Sequence, residues 1–459
     1  METLDVIIIG AGLSGLAAGI RLSQYGHRVR LFERHAVPGG LNSYYVRHGR
    51  LYDTGLHALT NVGAPGDRAA PLNLLCRQLR LRRDEWDIRP QRRSAVALPS
   101  ATLQFDNDIA TLQDSVATAF PHEADAFARL VAELRAMDPF VNGREFRPLR
   151  PWLAERIRTP LLRALLCCPV MYYGNATAGD MDLRQFCILF RSMFLEGMGR
   201  PAGGMRAILD QLCRRLEENG AELHLRRGVA ALANRDGAVT EAIADDGEAV
   251  RADVVLSCCG GPETGRLLSP AVPGLSGLEP GEMSYVEAVF DLACLPAELG
   301  LSHAVLFRHG SDTFDYRPEP TTLSPDSLVV CVPANFDGMA DASREVRVTA
   351  LGGCHAWNAL APDAYRAEKE RVLTELAERL EACHPGFAAA VTTRELYTPR
   401  TFTRFTGRLN GAIYGMPHKW WDGRTPLRNL RLVGADQGYL GIVGAMLSGV
   451  TVANDILRG

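Results

Sequence analysis

Residues 4–9 read LDVIII and run directly into Gly10-Ala11-Gly12-Leu13-Ser14-Gly15. Such an apolar, β-branched run is the pattern of a parallel strand buried on both faces. The motif G-x-G-x-x-G is weak alone. Here it follows a strand and opens a helix, predicted over 13–25 from Leu16, Ile20 and Leu22, with Gly26 as its stop. Residues 28–32, RVRLF, form a second strand and complete a βαβ unit. Gly10 allows the tight turn, Gly12 lets backbone approach a pyrophosphate, and Gly15 lets helix and strand pack closely. The first turn, with Leu13 and Ser14, offers unpaired N–H groups and partial positive charge to phosphates. Glu33 closes the second strand, 18 residues beyond Gly15. An acid there accepts hydrogen bonds from both ribose hydroxyls and repels a 2′-phosphate, which argues against NADP. The bland alternative is a glycine turn that binds nothing. Strand, turn, helix, strand and acid in register weigh against it.

The chain has 459 residues, which suggests about three domains. A formal charge of -3 calls for no nucleic-acid partner. Eleven cysteines are scattered without a CxxC, so no metal site and no thioredoxin-type motif is expected. Reduced thiols and a cytoplasmic location follow. No secretory signal precedes the first strand. No apolar run reaches the ~20 residues of a membrane-spanning helix. The best candidate, 160–173, is short and broken by Arg163. Only Lys369 and Lys419 are lysines, which leaves few candidates for a catalytic amine. Seven arginines fall within 77–93, as a solvated face or as a patch toward anionic lipid.

Further along, 105–200 reads as helical, with helices predicted at 109–119, 123–137, 160–166 and 183–195. Another follows at 205–219. Residues 222–258 switch to strands, with turns at Asp236-Gly237 and Asp246-Gly247. Strands are predicted at 286–291, 304–307, 328–332 and 346–351, a long charged helix at 364–383, then a strand at 430–433 and a helix at 444–457.

Residues 33–40, ERHAVPGG, resemble the large FAD superfamily that contains amine oxidases, phytoene desaturases and Rab GDP-dissociation inhibitors. Its ribose acid is followed by a basic residue and a glycine doublet, matched by Arg34 and by Gly39-Gly40, next to Leu41. The resemblance implies FAD, with the doublet near its phosphates. Residues 201–205, PAGGM, look like the superfamily's return to the FAD domain, and 225–232 like the strand where a backbone valine, here Val229, pairs with adenine. Residues 430–449 resemble the C-terminal flavin motif. There an acid contacts the ribityl chain and a helix start faces the flavin pyrimidine, which implies roles for Gly434, Asp436, Gly441 and Ile442. Ala435 intervenes between glycine and acid, a departure from the usual pattern.

The segment 39–61, with Asp53-Thr54-Gly55-Leu56-His57, narrows the resemblance to phytoene desaturases, carotenoid isomerases and retinol saturases, and 406–415, TGRLNGAIYG, is similar to the same branch. The fold implied is α/β. A Rossmann-like FAD-binding domain of parallel sheet and β-meander (1–70, 196–284, 405–459) is interleaved with a mixed α+β substrate domain (71–195, 285–404). The activity implied is FAD-dependent redox chemistry on carbon–carbon bonds of an apolar isoprenoid, by desaturation, with isomerisation or saturation as alternatives. Such a substrate needs an apolar tunnel, for which Leu161–Tyr173, Phe186, Ile188, Phe190, Met193 and Phe194 are candidates; plain core is the other reading of each. It also implies peripheral contact with a membrane's cytoplasmic face. The electron acceptor is not legible. His57 is the first acid/base candidate, or else a structural histidine bonded within its loop. Tyr414, the second catalytic candidate, and Tyr439 are expected to border the flavin. His418, Trp420 and Trp421 read as a pocket cap, a lipid anchor or a surface loop. An amine oxidase is one rival, with Lys419 as its only plausible lysine; a squalene-type lipid-reducing enzyme of the same shape is a second, and a prenyl-binding protein of the Rab GDP-dissociation-inhibitor type, without redox work, is a third.

Overall fold

The computed structural model describes residues 3–458 apart from 48, 140–144 and 342. The expected βαβ unit is present: strand Thr3–Ile9, helix Leu13–Ser23, strand Val29–Glu33. These strands sit inside a parallel layer ordered Glu222–Leu225, Val29–Glu33, Thr3–Ile9, Ala249–Ser257, Leu430–Leu432. Val6, Ile7 and Ile8 are fully buried, which explains their unbroken apolar run. Ala249–Ser257 also pairs antiparallel with Ala238–Ala244, and that strand with Val229–Arg235, so a β-meander grows from the layer's middle. The turn at Asp236-Gly237 has positive φ at both residues, as a tight hairpin requires. Helix Leu13–Ser23 packs against the C-terminal helix Gly441–Arg458. A Cβ on Gly449 would meet the Ser14 carbonyl oxygen at 2.1 Å, so the two backbones touch.

A second sheet has seven strands, ordered Val391–Tyr397, Tyr285–Leu292, Glu345–Leu351, Ser327–Cys331, Val305–His309, Ser94–Leu98, Ala101–Phe105. All its pairs are antiparallel except Val305–His309 with Ser94–Leu98. The hairpin 94–105 lies before the helical stretch and pairs, through Ser94–Leu98, with one strand far along the chain, Val305–His309. No sequence-local signal announces such pairing. The helices run Ile109–Ala119, Ala124–Ala136, Leu149–Ala154, Pro160–Gly174 and Leu183–Phe190. Pro160–Gly174 is longer than the expected 160–166, and Leu183–Phe190 gives way to a π turn at Arg191–Leu195.

The arginines of 77–93 are largely engaged within the fold. Arg82 pairs with Asp84, Arg89 with Asp87 and Arg92 with Asp337, while Arg77 and Arg83 donate to the carbonyls of Arg68 and Gly63. No helix among the described residues is long and apolar enough to cross a membrane.

Candidate functional site

Between the two sheets lies a cavity of about 510 Å³, within the range of ~300–1,000 Å³ common for small-molecule sites. Its walls divide into two ends.

One end is backbone. Gly10, Gly12, Leu13, Ser14, Gly39, Gly40, Leu41, Val229, Gly434, Gly441 and Ile442 all line it, with Glu33 and Arg34. Gly10 turns the chain at φ +95°, a conformation that favours glycine. A Cβ on Gly12 would meet nothing within 4 Å, because the open cavity lies in front of it. Gly15 is off the wall: its Cβ would stand 2.2 Å from the Gly10 carbonyl oxygen, so this glycine serves the packing of helix on strand. Gly12 caps helix Leu13–Ser23 without any side-chain hydrogen bond, so the first N–H groups have no side-chain acceptor and the cavity lies before them. The Glu33 carboxylate is fixed by two backbone donors, Ala11 N at 2.9 Å on Oε2 and His35 N at 2.8 Å on Oε1. Each oxygen keeps a further lone pair for a ribose hydroxyl. Arg34 turns its guanidinium to the carbonyls of Thr403 and Arg404 at the end of helix Pro399–Thr406. A long nucleotide with a pyrophosphate fits this cradle in shape and in donor chemistry.

Asp436 corrects the sequence reading. It is 1 % exposed and does not line the cavity. Its carboxylate accepts from Gly261 N (2.7 Å), Met416 N (2.9 Å) and Arg408 (3.1 Å). Burial alone would raise its pKa, but Arg408 and Lys419 hold it below the ordinary value. The extra Ala435 accounts for the change: it occupies the wall after Gly434, and the acid one step later faces inward. Asp436 thus braces the loop that carries the wall and is not itself on the wall where the ribityl contact was expected.

The other end is made of side chains: His57, Tyr172, Tyr173, Tyr285, Glu287, Val329, Thr349, Phe402, Ile413, Tyr414, Tyr439 and Leu440. Most are apolar or aromatic. The expected tunnel helices contribute only Tyr172 and Tyr173. Phe186, Phe190, Met193 and Phe194 are buried in the largest hydrophobic core instead, and Ile188 is also off the wall. Tyr414 donates its hydroxyl to the Tyr172 carbonyl, which ties this wall together, and burial raises its pKa. His418, Trp420 and Trp421 do not reach the cavity. Trp421 lies under Gly438, where a Cβ would meet its ring at 2.7 Å. Lys419 also stands behind the wall. Its ammonium donates to the Tyr414 carbonyl at 2.5 Å, and burial pushes its pKa down to about 8.

His57 sits on this wall with its side chain 20 % exposed. The D-T-G-x-H motif works as a bracket around it. Asp53 accepts from Arg200 (2.9 Å) and from Met205 N (2.8 Å), at the start of helix Gly204–Glu218. Arg200 in turn donates to the carbonyls of Leu56 (2.7 Å) and His57 (3.2 Å). Sequence reasoning missed Glu287, Thr349 and Arg347, the groups beneath the imidazole. They lie on two strands of the second sheet, and only that sheet's register places them against His57.

The flavin containing amine oxidoreductase family matches residues 13–457. A chloroplastic prolycopene isomerase of Arabidopsis thaliana is 25% identical over 464 residues, covering 90% of this chain and 74% of the relative. A 4,4'-diapophytoene desaturase of Methylomonas is 24% identical over 467 residues, covering 91% of this chain and 86% of the relative. The crystal structure of an oxidoreductase from Methanosarcina mazei superposes with a TM-score of 0.67 at 18% identity, covering 99% of this chain and 100% of that one. When bound in this cavity, FAD would supply a two-electron acceptor or donor. The glycine cradle, the fixed Glu33 and a match across almost the whole chain lead to one conclusion: this chain belongs to the flavin containing amine oxidoreductase family and is an FAD-dependent oxidoreductase.

Proposed function

We propose that the enzyme acts on carbon–carbon bonds of an apolar isoprenoid polyene, by desaturation or by a flavin-assisted change in double-bond geometry. The observation that carries this reading is the composition of the wall opposite the glycine cradle. Tyr172, Tyr173, Tyr285, Val329, Ile413 and Leu440 offer apolar surface and few polar contacts, which suits a hydrocarbon chain. Relatives named for a prolycopene isomerase and a diapophytoene desaturase support it. Amine oxidation draws no comparable support. The chain's only lysine in this region, Lys419, does not line the cavity, and its ammonium is engaged by the Tyr414 carbonyl. His57 is the wall's acid/base group, able to take a proton from an allylic carbon or return one.

A substrate of this class partitions into bilayers, so we place the working enzyme at a membrane surface. Co-flotation with lipid vesicles tests that placement; protein that stays at the bottom of the gradient rejects it.

The activity is tested by anaerobic incubation of FAD-loaded protein with polyenes delivered in vesicles, in partly saturated and in cis forms, followed by chromatography. Altered double-bond number or geometry supports the proposal. Unchanged polyenes, together with flavin reduction by simple primary amines, would overturn it in favour of amine chemistry.

A further inference from the structure

The imidazole of His57 is held on one side only. Its Nε2 lies 3.1 Å from Thr349 Oγ1 and 3.4 Å from Glu287 Oε1. Glu287 and Thr349 are directly opposite each other on paired strands, Tyr285–Leu292 and Glu345–Leu351, so the sheet register brings both to this one nitrogen. Arg347 lies two residues before Thr349 on the same face. It is wholly buried and donates to Glu287 Oε1 (2.7 Å), Glu345 Oε1 (2.6 Å) and the Asp53 carbonyl (2.7 Å). Burial alone would raise the pKa of Glu287, but the charges of a protonated His57 and of Arg347 bring it down to about 2; beside a neutral imidazole, Arg347 remains as the cation that keeps this carboxylate ionised at neutral pH.

An ionised carboxylate only accepts hydrogen bonds. It therefore selects the imidazole form with its proton on Nε2. The His57 carbonyl is fixed as well, by Arg200 at 3.2 Å and by the Cys331 thiol at 3.4 Å, so the main chain that carries the ring is held in place. Among the described residues no hydrogen bond reaches Nδ1.

We propose that Glu287 is a positioning residue for His57: anchored by Arg347, it keeps the imidazole proton on Nε2 and leaves Nδ1 as the atom that exchanges a proton with substrate. The arrangement follows the logic of a buried carboxylate that orients a catalytic histidine. The proposal concerns one proton. When Nδ1 gains it, the ring becomes a cation beside the carboxylate; when Nδ1 gives it back, the Nε2–H form returns. The catalytic use of Nδ1 rests on the reading that substrate lies in the cavity beside His57. The position of the proton does not.

The test uses FAD-loaded protein carrying 15N-labelled histidine. Long-range proton–nitrogen spectra report which ring nitrogen bears hydrogen, and His57→Asn assigns the signal. The expected result is the Nε2–H form in the wild type and in Glu287→Asp, which keeps the charge, and a mixture or the Nδ1–H form in Glu287→Gln. Thr349→Val, which leaves the carboxylate in place, is expected to stay Nε2–H, and it decides the matter if the glutamine variant does not fold. An Nδ1–H form in the wild type, an unchanged Nε2–H form in Glu287→Gln, or a switch in Thr349→Val would each overturn the proposal. Polyene is added last. A His57 signal that then shifts supports Nδ1 as the exchanging atom; one that stays put contradicts the substrate reading while the tautomer result stands by itself.

Discussion

The two ends of the cavity are built by different means. The cofactor end is mostly main chain: glycine turns, two helix starts and one acid whose oxygens are set by backbone N–H groups. Residues 10–15 and 33–41 supply most of it from one short stretch of sequence. The substrate end is side chains gathered from the 53–57 loop, the helix Pro160–Gly174, three strands of the second sheet and the loop around 412–414. A cradle for an invariant group can be local and rigid. A wall that must suit a particular substrate draws on distant segments, each of which can vary without disturbing the cradle.

If that contrast is right, substitutions at the two ends fail differently. The largest effect on FAD affinity is expected at Gly12. A Cβ there meets no protein atom and projects into the cavity. Gly12→Val should fold with a thermal midpoint close to that of the wild-type apoprotein but lose FAD by about 100-fold or more, on the order of 2.7 kcal/mol. Equilibrium dialysis of FAD beside a melting curve checks this; normal FAD binding would break the comparison. Phe190→Ala probes the other region. As a core residue it should cost about 3–5 kcal/mol of stability with FAD affinity kept in the folded fraction. A stable variant with altered substrate preference would return this helix to the tunnel originally expected.

Glu33→Gln comes next. Loss of a charge-assisted hydrogen bond to a ribose hydroxyl is worth about 1.5–3 kcal/mol, so FAD affinity should fall by roughly 10- to 150-fold. A further effect concerns pH. The folded-state pKa of Glu287 is about 2, below the ordinary 4.5. A depressed carboxylate stabilises the fold above its unfolded pKa, and that stabilisation fades as pH falls from about 4.5 toward 2. The stability gap between wild type and Glu287→Gln should therefore be flat above pH ~5.5 and narrow below 4.5. A gap independent of pH over that window would place the effect elsewhere than in the carboxylate charge.

How much of this was legible in the sequence follows the same division. The βαβ unit could be read because strand period, glycine spacing and Glu33 are local signals within forty residues. The meander was legible because Asp236-Gly237 and Asp246-Gly247 mark its turns. Asp436 was misplaced because the shift from one inserted alanine changes which way a side chain faces, and spacing alone does not show that. The helical candidates for a tunnel could not be told from core, since both are apolar at helical spacing; in the structure Phe186, Phe190, Met193 and Phe194 are core. The pair Ser94–Leu98 and Ala101–Phe105 joins its sheet through strands far along the chain, and Glu287 reaches His57 only through the pairing of Tyr285–Leu292 with Glu345–Leu351. Those facts live in register, which one sequence does not display.

The most direct measurement of the central claim is the visible absorption spectrum of FAD-loaded protein during an anaerobic titration with a vesicle-borne polyene. One cavity holding flavin at its glycine end and polyene at its aromatic end predicts flavin bands that shift saturably as polyene is added. A protein that takes up no FAD would contradict the cofactor end, and bound flavin whose spectrum ignores every polyene would contradict the other.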